Sequence, residues 1–76
     1  MTPEQIKERI TKHMPGAVVE VYSNDLVHYE AHVAFSGFQN KSRVERHRMV
    51  YAALGDAMAT EIHALQLTTT LLEKHT

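Results

Sequence analysis

The sequence predicts an α+β fold: a two-layer sandwich in α-β-β-α-β order, with a three-stranded mixed sheet covered by helices on one face. Three observations carry this. Two capping boxes, Thr2 to Gln5 and Ser42 to Glu45, each stand at the head of a helical apolar stripe. Between and after those helices lie three short segments with β-branched content or apolar alternation. Turn residues separate all five elements.

The first helix starts at Thr2-Pro3-Glu4-Gln5, where threonine caps and proline suits the first helical position. Ile6, Ile10 and Met14 make its buried stripe, and Pro15-Gly16 ends it. Ala17 to Tyr22 reads as a strand and Ser23-Asn24-Asp25 as a turn. A second strand over His28 to Phe35 completes an antiparallel hairpin. It sets Tyr29, Ala31, Val33 and Phe35 on one face, and His28, Glu30, His32 and Ala34 on the other. Ser36 to Lys41 is a loop. The second helix is expected from Ser42 to about Thr60, with Val50, Tyr51, Leu54, Ala57 and Met58 buried. The third strand is expected over Ile62 to Thr69, with Leu65 and Leu67 facing the core and His63 sharing their face. The tail from Thr70 to Thr76 has room for one helical turn.

A chain of 76 residues buries only about 60–65% of its unfolded surface, which is one modest core and therefore a single domain over residues 1–76. With 43% hydrophobic and 22% charged residues it is too apolar for disorder. A net charge of -1 provides no global field for nucleic acid or an acidic membrane. No apolar stretch is long enough to span a bilayer, and the N-terminus has no signal-peptide pattern. The chain has no cysteine, which excludes disulfides and self-contained thiolate metal sites and fits a reducing cytoplasm. Soft-metal chemistry must therefore run through imidazole or through a partner's thiolates.

Six histidines make imidazole the residue type to weigh. His63 lies in Ile62-His63-Ala64-Leu65. A histidine on an apolar face is usually a core or edge residue satisfied by one hydrogen bond, so its position alone does not make it a ligand. His28 and His32 would chelate jointly on a helix, but on a strand they lie ~13 Å apart. Lys41, Arg43, Arg46 and Arg48 surround the start of the second helix, where cations oppose the macrodipole. An anion or an acidic partner surface would account for them, and so would a solvated basic turn. His47 stands between two of those arginines. Ser23, Ser36 and Ser42 are explained by turns and caps, and no nucleophile or acidic pair suggests an enzyme.

Phe38 and Lys41, then Arg46-His47-Arg48-Met49-Val50-Tyr51 with Leu54, then Ile62-His63-Ala64-Leu65, occur in the order and spacing of BolA-like proteins. The resemblance runs from about Ile6 to Thr69. The short hairpin loop with His28 before an aromatic residue resembles the subgroup typified by the bacterial IbaG proteins. In place of that family's Thr-Pro segment with tryptophan, this chain has Thr68-Thr69-Thr70-Leu71-Leu72. The resemblance implies a fold akin to the type II KH domain. It also implies a role in iron–sulfur cluster assembly or trafficking, with a [2Fe–2S] cluster shared with a monothiol glutaredoxin and glutathione in a heterodimer, and no cluster in the isolated protein. It implies His63 as the principal ligand and His28 as the second, with Lys41, Arg43, Arg46, His47 and Arg48 at a partner- or anion-binding surface. The rival function is nucleic-acid binding in a stress-response regulator. Against it, the chain lacks the GXXG loop by which KH domains grip a backbone. A short edge strand also allows a homodimer.

Overall fold

The computed structural model describes residues 1–62 and 64–73. Helix α1 spans Pro3–His13, and both halves of its capping box are made: Gln5 N–H donates to Thr2 Oγ1, and Thr2 N–H donates to the Gln5 side chain. Strands β1 (Val18–Tyr22) and β2 (His28–Phe35) pair antiparallel. A single turn of 3-10 helix, Ser36–Phe38, leads to helix α2 (Arg43–Leu54), which opens on the reciprocal Ser42–Glu45 box. A short helix α3 (Ala57–Thr60) follows, and β3 (Ala64–Leu71) pairs parallel to β2. The sheet order is β1-β2-β3, mixed as expected, with β2 central.

One face of the sheet is covered. Ile6 and Ile10 from α1 and Met14 at its C-cap close over Val19, Tyr29, Ala31 and Val33, while Val50, Ala53 and Leu54 from α2 and Ala57 from α3 complete the core with Phe38, Ile62 and Leu67. The period of two along β2 puts its apolar side chains here and leaves His28 and Glu30 exposed. Burying apolar area in this way is the main stabilising term for so short a chain.

Five expectations change. The second helix does not run to Thr60: Gly55, at φ 56° and ψ -130°, ends it. Tyr51 is 38% exposed, because Val50, Ala53, Leu54 and Ala57 already fill the i, i+3, i+4, i+7 stripe and Tyr51 lies one step round the helix. Met58 is half-buried at the edge of the core. The third strand begins at Ala64, not Ile62: the Ile62 N–H is held by the Ala57 carbonyl at 2.8 Å, so Ile62 anchors the turn that precedes the strand. Thr70 and Leu71 extend that strand in place of a helical turn.

Two glycines have defined tasks. A Cβ on Gly37 would land on the Phe35 ring, which sits edge to face with Phe38 at 5.4 Å. Gly55 adopts a backbone region that L side chains rarely enter, with nothing nearby for a Cβ to strike. Gly55→Ala is therefore expected to cost ~1–3 kcal/mol through the backbone alone. A lowered urea midpoint with an unchanged slope would show it, and an unchanged midpoint would refute it.

Candidate metal centre

The β1–β2 connection is built from side-chain oxygens that replace a repeating backbone ladder. Ser23 Oγ accepts from the Leu26 N–H at 2.9 Å and donates to the His28 carbonyl at 2.7 Å. Asp25 Oδ1 accepts from the N–H groups of Val27 and His28, each at 2.9 Å. Leu26 takes a left-handed φ of 59° at the bend, a costly conformation for leucine. The buried Tyr29 ring supports the loop from beneath, its hydroxyl within hydrogen-bond reach of the carbonyls of Leu26 and Met1, which share its one proton.

His28 emerges at the mouth of this loop as the first residue of β2, its side chain 70% exposed. Its Nδ1 lies 2.8 Å from Asp25 Oδ2. The Asp25 carboxyl is held far below the usual carboxylate range, first by the hydrogen bond from the His28 ring and then by the backbone N–H groups of His28 and Val27. An exposed aspartate is a carboxylate near neutral pH and only accepts, so the nitrogen facing it at 2.8 Å carries the proton. Nε2 points away with no hydrogen-bond partner among the described residues.

A carboxyl group with a depressed folded pKa contributes to stability fully above the ordinary aspartate value and loses that contribution as pH falls toward the folded value. The loop is therefore expected to hold through about pH 4, near the usual aspartate midpoint, and to loosen only in stronger acid. Amide resonances of Val27 and His28 would report this. A transition of those amides centred near the ordinary aspartate value would contradict it.

The parallel register sets Ala64 directly opposite His28. The hairpin mouth and the start of β3, the residue just after position 63, are therefore neighbours in the sheet. His63 itself lies outside the described residues. His32 shares the exposed face of β2 with His28, but its Nε2 is 2.7 Å from Glu30 Oε2, and the extended strand keeps the two imidazoles apart. Among the described residues no three histidine, aspartate or glutamate side chains converge to hold a metal unaided. The exposed donor here is a single imidazole with one nitrogen tied to a carboxylate, in a chain with no thiolate of its own.

The basic residues do not all gather at one spot. Arg46 is committed locally, its Nε donating to the Lys41 carbonyl at 3.1 Å and its guanidinium lying over the Phe38 ring at 5.7 Å. Lys41, Arg43 and Arg48 are exposed, with Arg48 about 140° round the helix from Arg43. The half-buried His47 ring meets Tyr51 edge to face at 6.3 Å. Glu45, engaged by Ser42 in the capping box, offsets the charge at the helix start. Sequence reasoning missed Asp25, which registers there only as a turn former; its one available signal is an aspartate three residues before a histidine.

The pattern of the family described as BolA-like protein matches residues 5–74. The chain is similar to a solved BolA protein homologue from Coxiella burnetii, with 37% identity over 91% of this chain and 88% of that one and a TM-score of 0.79. A BolA protein from Ehrlichia chaffeensis is 36% identical over 95% of this chain and 93% of its own, with a TM-score of 0.58. The BolA domain of SufE1 from Arabidopsis thaliana is 26% identical over 91% and 90%, with a TM-score of 0.80. No curated protein sequence matches significantly. The match holds at the level of the family and does not separate its subgroups.

Proposed function

This chain belongs to the BolA-like family, and from that premise we propose that it is a non-enzymatic adaptor of iron–sulfur cluster assembly or trafficking. In this reading it shares a [2Fe–2S] cluster with a monothiol glutaredoxin. His63 and His28 supply imidazoles, and the partner's cysteine with glutathione supplies thiolates. Lys41, Arg43 and His47 belong to the surface that meets the partner. The setting is the reducing cytoplasm, consistent with a chain that has no cysteine; among the described residues no helix is long and apolar enough to cross a membrane.

The observation that supports the reading most is the register of His28 with Ala64, which brings an exposed, carboxylate-oriented imidazole beside the start of the strand that follows His63. The chemistry is coherent. Imidazoles on one iron of a [2Fe–2S] cluster bring less negative charge than thiolates and raise its reduction potential. Protons compete with iron for imidazole, so the cluster is released more readily as pH falls. Such ligands suit cargo that must be passed on.

The test is visible absorption and circular dichroism of the chain mixed with a monothiol glutaredoxin, glutathione, ferrous iron and sulfide. A spectrum distinct from that of the glutaredoxin homodimer supports the proposal. A spectrum identical to the homodimer's counts against it. In that event DNA affinity that falls steeply with salt, and depends on Arg43 and Arg48, would favour the nucleic-acid alternative.

A further inference from the structure

We infer that Asp25 is a positioning residue: its carboxylate fixes the His28 ring with the proton on Nδ1, so that Nε2 presents its lone pair to iron. This inference rests on the proposed role of His28 and adds to it the residue that makes that imidazole a competent donor.

The two oxygens of Asp25 have separate partners. Oδ1 is taken by the backbone N–H groups of Val27 and His28, which shape the loop. Oδ2 faces the ring at 2.8 Å from Nδ1. The loop therefore needs one oxygen and could form without the second, so the contact with the imidazole is an additional task. A neutral imidazole has one donor and one acceptor nitrogen, and the hydrogen bond made by one decides what the other offers. With Nδ1–H directed at a carboxylate, Nε2 is the acceptor, the form a metal requires. The contact also restricts rotation of a ring that is otherwise mostly in solvent. Carboxylates behind ligating histidines act in this way at metal sites, and losing one typically costs 10–100-fold in affinity.

The geometry provides a clean test. In Asp25→Asn the amide oxygen can keep the two backbone N–H groups. The amide nitrogen then takes the place of Oδ2, and it only donates. The ring must answer with an acceptor at Nδ1 and move its proton to Nε2, which blocks the metal-facing lone pair. Two-bond proton–nitrogen couplings of the metal-free protein, at a pH above the ordinary histidine range, read the tautomer directly. The expected result is Nδ1–H in the native chain and Nε2–H in Asp25→Asn, with Val27 and His28 amide resonances little changed. A native ring in the Nε2–H form, or the same tautomer in both proteins, would overturn the inference.

The second arm loads the cluster with the glutaredoxin and compares Asp25→Asn with His28→Ala. A 10–100-fold weaker heterodimeric cluster in Asp25→Asn, alongside a weakened His28→Ala, supports the positioning role. If His28→Ala weakens the cluster and Asp25→Asn, with its tautomer switched, loads like the native chain, the positioning role fails while His28 remains a ligand. If His28→Ala loads normally, His28 leaves the ligand set and the inference falls with it.

Discussion

Phe38→Ala is expected to cost ~3–5 kcal/mol, the usual range for truncating a fully buried phenylalanine. A chain of this length holds on the order of 4–11 kcal/mol in total, at ~0.05–0.15 kcal/mol per residue, so the variant should be marginally folded at best. The position explains the magnitude. Phe38 is completely buried and is the largest side chain to be so. Its ring takes the edge-to-face contact with Phe35 at the end of β2 and the guanidinium of Arg46 from α2. One side chain thus joins the sheet to the helix, and its removal opens a cavity that neither element can close alone. The melting temperature should fall by roughly 12–40 °C, at ~4–8 °C per kcal/mol for a domain of this size. A loss below ~1 kcal/mol would mean that the core reforms without the ring.

Phe38 also shows where sequence reasoning stops. Its place in a loop between two elements was legible; its burial was not, because that depends on the turn folding the ring back between β2 and α2. Signals are legible in the sequence where the physics is local. Both capping boxes are closed by residues three positions apart, and the alternation along β2 appears as burial from His28 to Val33. Gly55 is the opposite case. The apolar stripe continues through Ala57 as though the helix did not end, and only the backbone shows the break. Ile62 looks like the first residue of a strand by composition, yet its N–H is spent on the turn. At the candidate site the hairpin pattern sets His28 at the loop mouth, and only the family resemblance offers it as a ligand. The second oxygen of Asp25 was not legible, since a turn former gives no sign of which further group it meets. Arg46 read as one more cation, whereas its bond to the Lys41 carbonyl and its place over Phe38 give it a structural task.

His63→Ala is expected to abolish the heterodimeric cluster spectrum while leaving the fold intact. Ile62 before it and Leu67 after it are both buried, and neither is replaced in the variant. An unchanged melting curve for the variant is therefore part of the prediction, and it separates loss of a ligand from loss of the domain. His28→Ala should weaken the same spectrum, less completely if His63 is the principal ligand. His63→Cys separates a ligand role from a structural one. Thiolate can still ligate iron, but it adds a negative charge, so the cluster should form with a lower reduction potential than the native one. It should also respond differently to acid, because the proton then competes for sulfur and no longer for imidazole. A native spectrum in His63→Ala would remove His63 from the ligand set. Loss of the cluster in His63→Ala with recovery in His63→Cys, at a shifted potential, is a result that a structural role for the histidine does not produce.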